Sequence, residues 1–250
     1  MEAKTIIKTE DLTKIYNGQV AVDHLSFELM EGEVFGFLGP NGAGKTTTLL
    51  MLLGLTEPSS GQARVLDVDP SRDPITVKTQ IGYLQENMGF YNELNAWQML
   101  DFVADLNAIP AEEARVRSEE ALKTVGLYDE ANKRIGAYSR GMRQRLGIAE
   151  LLIKEPKIVF MDEPTLGLDP DATNRMMDLI ERLCKERNMT VLLSSHMLHL
   201  VQRICHRVGI MIKGRLVACG PLEQLAKEKL GVGTEAYTLE QIYMKYFQEA

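Results

Sequence analysis

Eight consecutive residues, Gly39-Pro40-Asn41-Gly42-Ala43-Gly44-Lys45-Thr46, carry the strongest chemical signal in the chain. They fit G-x-x-x-x-G-K-[ST], a loop in which glycines let successive backbone N–H groups turn toward one point and hold a chain of phosphates. A helix beginning directly after such a loop adds its positive N-terminal end. Lys45 would then pair with the outer phosphates, and the Thr46 hydroxyl would hold Mg²⁺. Gly39, Asn41, Gly42, Ala43, Gly44, Lys45, Thr46 and Thr47 form the candidate phosphate-contacting set. The surroundings match the need: Glu33-Val-Phe-Gly-Phe-Leu38 is an apolar run of the buried-strand kind, and Thr46–Leu55 reads as a helix closed by Gly54 and Pro58.

A second element is Ile158-Val-Phe-Met-Asp162-Glu163, an apolar strand ending in two adjacent carboxylates. An NTPase with this kind of loop needs an acid to hold Mg²⁺, which suits Asp162. Glu163, one residue on, is placed to polarise an attacking water as general base. Such a pair alone usually marks a strand meeting solvent; beside a phosphate loop the functional reading prevails.

Further motifs make a resemblance specific. Tyr138-Ser139-Arg140-Gly141-Met142-Arg143-Gln144 resembles the signature of ABC ATPases, whose common form is Leu-Ser-Gly-Gly-Gln, and it precedes the Asp162-Glu163 strand as in that family. Leu168-Asp169 resembles the family's D-loop, and His196 after Leu192-Leu-Ser-Ser its switch histidine. Tyr16 sits where the family carries an adenine-stacking aromatic. The resemblance runs from about residue 5 to 225. Arg140 and Met142 depart from the common signature, whereas Ser139 and Gly141 keep it. In Ile81-Gly-Tyr-Leu-Gln85-Glu86, which resembles the Q-loop region, Glu86 occupies the glutamine position and Gln85 the preceding one. Glu86 is the first candidate for the Mg²⁺ shell, since a carboxylate oxygen serves there, and Gln85 is the second.

The resemblance implies ATP and Mg²⁺ as ligands and a phosphate-loop α/β core with an N-terminal antiparallel β subdomain and an inserted helical subdomain. It also implies a separate membrane permease docking near Glu86–Asn95, at the cytoplasmic face of the membrane. The Ser-Arg-Gly-Met-Arg-Gln-Arg form resembles single-domain ATPases of antibiotic and multidrug export systems. The residues of the signature add their own support. Ser139 opens an amphipathic helix, so its hydroxyl and the free N–H groups make an anion site. If the helical insertion stands apart, that site serves the ATP of a second subunit, and a head-to-tail homo- or heterodimer is expected.

The elements that must position these residues follow from periodicity. Ile6, Ile7, Leu12 and Ile15, then Val20, Val22, Leu25, Phe27 and Leu29, alternate around an Asn17-Gly18 turn and predict an antiparallel layer. Asn95–Asn107 carries Trp97, Leu100, Phe102, Val103 and Leu106 at helical spacing. Pro110 opens a helix that Gly126 ends. A third helix starts after Ser139 with Leu146, Ala149, Leu152 and Ile153 on one side. Lys157–Asp162 and Met189–Ser194 read as strands flanking a helix from Asp169-Pro170 with Met176, Ile180 and Leu183 inward. This alternation predicts a mostly parallel sheet. The expected organisation is one domain over 1–250: core 1–87 and 154–225, helical signature subdomain 88–153, and tail 226–250 with a weak stripe (Leu239, Ile242, Tyr246).

The chain has 250 residues, 45% hydrophobic and 25% charged, with formal net charge −7, which fits a globular protein and counts against a nucleic-acid partner. Cys184, Cys205 and Cys219 show no metal-type spacing and read as small buried hydrophobes. The start, Met1-Glu-Ala-Lys4, has no apolar run, so no signal peptide is expected, and the longest apolar stretches fall far below the roughly 20 residues of a membrane span. His24, His199 and His206 are not spaced to share a metal. Trp97 reads as core of the insertion, and Phe90-Tyr91 as either interior or an exposed docking surface. The rival reading is a soluble, non-transport ABC ATPase of translation, Fe–S assembly or DNA repair. The ribosome-acting kind usually pairs two ATPase units, and the repair kind splits its motifs with coiled coils or zinc inserts.

Overall fold

The computed structural model describes residues 4–230 and 238–249. In chain order it contains β1 (Thr5–Tyr16), β2 (Gln19–Met30), β3 (Val34–Leu38), α1 (Lys45–Leu52), β4 (Ser60–Val65), α2 (Pro74–Gln80), β5 (Ile81–Leu84), α3 (Ala96–Leu106) and α4 (Ala111–Thr124). There follow α5 (Arg140–Leu152), β6 (Ile158–Asp162), α6 (Pro170–Arg187), β7 (Thr190–Ser195), α7 (Leu198–Ile204), β8 (Arg207–Ile212), β9 (Arg215–Pro221), α8 (Leu222–Leu230) and α9 (Leu239–Glu249). Contacts divide the chain into two compact units: the described residues up to Lys78 with those from Cys184 on, and Thr79–Leu183.

The first unit holds two β layers. One is the antiparallel sheet β2-β1-β4. Ile7, Leu12, Val22, Leu25 and Leu29 are fully buried on its inner side, while Lys8 on the outer face pairs with Glu10 and Glu28. The β1–β2 turn is Asn17-Gly18, both at positive φ, the two-residue turn whose twist suits a hairpin. The alternation breaks at the hairpin tip, where the cross-strand partners Ile15 and Val20 are exposed instead of inward. Strand β4, Ser-Gly-Gln-Ala-Arg-Val, buries only Ala63 and Val65 and is too polar to announce itself in sequence.

The other layer runs β7-β3-β8-β9, parallel except for β9. Every residue of β3 is buried, as the continuous apolar run requires of a strand covered on both faces. Phe27, Phe35 and Phe37 pack with ring centroids 5.0–5.6 Å apart. Below them the buried Glu33 carboxylate accepts from Arg207 Nη1 at 3.0 Å and from the Met30 amide at 2.7 Å. The Val34 amide donates to His206 Nδ1 at 2.9 Å, which makes that histidine a structural acceptor. The start of β3 is thereby held while its other end is left to the chemistry. Cys184 and Cys205 are buried and all three cysteines are free thiols.

The stripe Leu239, Ile242 and Tyr246 is buried, with α9 packed on α7, α8 and β8. Of the sequence-expected tail, residues 231–237 and Ala250 lie outside the described residues, as do Met1–Ala3.

In the second unit β5 and β6 pair in parallel, Ile81 with Ile158 through Leu84 with Met161. Asn95 caps α3 with a full capping box: its side chain accepts from the Gln98 amide at 2.9 Å, and Gln98 accepts from the Asn95 amide at 3.0 Å. The buried side of α3 is Ala96, Met99, Leu100 and Ala104, so Phe102 and Leu106 face outward and Trp97 is half-buried, edge-on to Tyr128. Trp97 is therefore a rim residue, contrary to its reading as core; it and Tyr128 line a cavity of about 450 Å³ with Asp101, Arg115 and Glu119. Helix α5 buries Leu146, Ala149, Leu152 and the following Ile153 as expected, and α6 buries Met176, Ile180 and Leu183. No helix among the described residues is long and apolar enough to cross a membrane.

Glu150 on α5 is the exception to this apolar packing. The residue keeps some exposure, but its Oε1 is sealed from solvent and makes no hydrogen bond. Burial pushes its carboxyl up from 4.5 to about 8. The folded chain then keeps this proton where the unfolded chain has released it, so stability falls as pH rises from about 4.5 to about 8 and levels off above. Glu150→Gln removes that slope and stabilises the fold by on the order of 2 kcal/mol at pH 8. Urea unfolding at pH 5 and pH 8 measures it; an unchanged pH slope in the variant would refute the assignment.

Candidate nucleotide site

The loop between β3 and α1 is held by its own backbone and by neighbouring backbone of the first unit. The Ala43 amide donates to the Pro40 carbonyl at 3.1 Å, and the Gly214 amide, from the β8–β9 turn, donates to the Ala43 carbonyl at 3.1 Å. Gly44 caps α1 at φ 101°, where a β-carbon would lie 2.5 Å from the Ala21 carbonyl oxygen of β2. Both the left-handed torsion and the close approach require glycine here. Lys45 is 6% exposed, and its ammonium donates to the Gly39 carbonyl at 2.7 Å and the Pro40 carbonyl at 3.2 Å. Asn41, Gly42 and Thr46 are exposed, Thr47 is half-buried, and Ala43 and Gly44 are buried.

Two more candidates join this loop within the same unit. Tyr16 stands at the tip of the hairpin that also supplies Ala21; it is 41% exposed, with Lys14 Nζ 4.8 Å from its ring centre. Ile15 and Val20, a cross-strand pair beside it, are exposed as well. His196 is exposed at the end of β7, and because Leu38 pairs with Ser195 it leaves the sheet at the level of Gly39.

The second unit gathers the remaining candidates. Asp162 and Glu163, 3% and 6% exposed, end β6. Glu163 adopts φ 49°, a left-handed conformation that costs a non-glycine residue on the order of 1 kcal/mol. The chain then turns through Glu163 O accepting from Leu166 N (3.0 Å) and Thr165 O from Leu168 N (3.2 Å). That turn delivers Asp169, whose Oδ1 caps α6 by accepting the Ala172 amide at 2.8 Å. Ser139 caps α5, its Oγ accepting the Met142 amide at 3.2 Å. Ser139, Gly141 and Asp169 line a small pocket of about 110 Å³.

Glu86 is half-buried and Gln85 exposed, directly after β5. The Tyr83 phenol, pushed up to about 12 by burial and then by the Asp162 and Glu86 carboxylates, lies in the field of both acids. Sequence reasoning passed over Tyr83 because it reads as an ordinary strand residue. It also passed over Gln144, 4% exposed, which donates to the Pro164 carbonyl at 3.3 Å and steadies the turn after Glu163. A glutamine among the inward residues of α5 was the available signal. Tyr16, the loop and His196 thus belong to one unit, and Gln85, Glu86, Ser139, Gly141, Asp162, Glu163 and Asp169 to the other.

Among the described residues no cluster of three or more His, Cys, Asp or Glu side chains is arranged to hold a metal on its own. The candidate donors, one hydroxyl and carboxylate oxygens, are the hard type that Mg²⁺ takes sparingly, completing its shell with water and phosphate.

A phosphate loop after a buried parallel strand, with a strand ending in Asp-Glu, defines a phosphate-loop nucleoside triphosphatase. The model of the family described as ABC transporter matches residues 22–166. The chain is 44% identical over 223 residues to the bacitracin transport ATP-binding protein BcrA of Bacillus licheniformis, covering 89% of this chain and 72% of that protein. A solved structure described as the ATP-binding subunit of an ABC transporter superposes with TM-score 0.86 at 28% identity, over 97% of this chain and 100% of that one. A dimeric ATP-binding cassette in a post-hydrolysis state, bound to ADP and Pi, matches with TM-score 0.77 at 26% identity, over 86% and 98% of the two chains. The chain belongs to the ABC transporter family and is an ATPase of that family.

Proposed function

We propose that this chain powers a separate membrane permease, in an export system, by closing as a head-to-tail dimer over two Mg·ATP. What supports the reading is that one chain holds two candidate anion sites, the Gly39–Thr47 loop and the Ser139-capped start of α5. The dimeric, ADP- and Pi-bound state of a relative supports their use on nucleotides shared by two chains. Each ATP would be served by Tyr16, Asn41, Lys45, Thr46, Thr47, Asp162, Glu163 and His196 of one chain and by Ser139 and Gly141 of its partner. Residues 88–153 would form the signature subdomain, with Asp169 in the D-loop capping α6.

Each side chain has a chemical task. Tyr16 offers its exposed face to the adenine ring, and the loop amides with Lys45 bind the phosphate oxygens. Thr46 and Asp162 would hold Mg²⁺, which when bound neutralises charge developing on the phosphates. Glu86 is assigned to its outer shell, supported by the field it shares with Asp162 at Tyr83, with Gln85 second. Glu163 takes a proton from water as the water oxygen attacks the γ-phosphorus; the bond to the bridging oxygen breaks and ADP leaves. His196 contacts the γ-phosphate, so its loss releases the closed state.

Docking of the permease is assigned to Glu86–Asn95 and its surroundings. Tyr91, 56% exposed, meets Phe102 edge-on at 5.6 Å, an apolar pair of the kind that anchors partner interfaces. Such docking would hold the chain at the cytoplasmic face of the membrane. The signature form and the similarity to a bacitracin transport protein favour export.

Glu163→Gln should lower steady phosphate release by about 10²–10⁴-fold while ATP binding persists; release at the unmutated rate would remove Glu163 as the base. Affinity capture of the unmutated chain from detergent-solubilised host membranes should recover a multi-spanning protein in stoichiometric amount. Recovery of soluble partners alone would favour a non-transport ABC ATPase and leave the hydrolytic chemistry standing.

A further inference from the structure

We infer that Arg140, which stands where the common signature carries its first glycine, is an additional binding cation for the γ-phosphate of the partner chain's ATP. The inference rests on the composite-site reading above. Arg140 is the first residue of α5, next to the capping Ser139, and lies in the same small pocket. Its guanidinium packs directly against Gly167: a β-carbon on that glycine would meet Arg140 Cζ at 2.6 Å and Nε at 3.1 Å. Gly167 also holds φ 70°, so both its torsion and its bareness keep this seat open.

Charge in the pocket is unevenly committed. Arg175 pairs with Asp171. Arg145 donates to the Val125 and Gly126 carbonyls at 2.9 and 3.0 Å. The Asp169 carboxylate caps α6. Arg140 is exposed, and among the described residues no hydrogen bond or ion pair engages its guanidinium. An arginine that merely fastened the turn would spend its donors on the turn's carbonyls. Here contact with Gly167 seats the group while its N–H donors make no hydrogen bond within the described residues. Its neighbour is the N-terminus of a 13-residue helix, whose amides favour the same anion.

The test uses the full chain with Arg140→Met, Arg140→Lys, Gly167→Ala and, as a control on the composite site, Ser139→Ala. ATP hydrolysis is followed against ATP and NaCl concentration, and ADP affinity is measured separately. ADP lacks the γ-phosphate and reads the chain's own loop alone. Arg140→Met should raise KM for ATP about tenfold and flatten its dependence on salt, with ADP affinity unchanged. Arg140→Lys should recover part of the affinity and most of the salt dependence, because the charge remains. Gly167→Ala should shift KM in the same direction by displacing the guanidinium. An unmutated KM and salt slope in Arg140→Met would overturn the inference, as would an ADP affinity that falls in step with ATP. If Ser139→Ala cripples hydrolysis while Arg140→Met is neutral, only the role of Arg140 fails. If Ser139→Ala is also neutral, the composite site fails with it.

Discussion

A β-carbon on Gly44 would sit 2.5 Å from the Ala21 carbonyl oxygen, and this closeness organises the first unit. For backbone amides to converge on phosphate, the loop must coil tightly and be held in place, by Lys45 from within and by neighbouring backbone from outside. Strand β2 of the hairpin closes on it at Ala21, and the adjoining β8–β9 turn ties it down through the Gly214 amide. The same hairpin presents Tyr16, and the strand register brings His196 to the loop's level. The Glu33–Arg207 pair braces the far end of β3 and the phenylalanine cluster packs along it, so the loop is mounted on a fully buried strand. Packing serves the cradle, and the cradle serves the charge.

The second unit follows a different logic, in which polar groups are placed by turns and caps. Ser139 and Asp169 each open a helix, and both have their oxygens engaged with backbone amides. Glu163 is held in a left-handed conformation where the strand ends, and Gln144 steadies the turn beyond it. Local strain of this kind persists only where surrounding structure enforces it, and it directs a carboxylate out of the line of its strand. Glu150 in α5 marks a second cost in this unit, a carboxyl kept neutral by burial.

How much of this was legible beforehand depended on how local the governing physics is. The phosphate loop, the Asn17-Gly18 turn and the Asp162-Glu163 strand end are written in short spacings and are legible as elements, whereas the Asn95 cap shows only in the structure. The inward faces of α5 and α6 followed from periodicity. Strand β4 stayed hidden because its edge position tolerates polar residues. Phe102 and Leu106 mislead because the buried side of α3 is completed by two alanines, Ala96 and Ala104, beside Met99 and Leu100, which leaves these two large residues outside. The seat of Arg140 on Gly167 joins positions 27 residues apart, and no local pattern encodes it. The division at Lys78 and Leu183 likewise reflects contacts across the chain.

The most direct test of a nucleotide site shared between chains is complementation between two inactive forms. Lys45→Ala removes the cation of the phosphate loop, and Ser139→Ala removes the cap of the signature helix. Each should hydrolyse ATP poorly alone. In a mixed dimer, the intact loop of the Ser139→Ala chain faces the intact signature of the Lys45→Ala chain and restores one whole site. Phosphate release that rises well above the sum of the separate variants on mixing is the result a shared site requires. Release that stays at that sum, while mixed dimers demonstrably form, would contradict it and return Ser139 to its own chain's chemistry or to a plain helix cap.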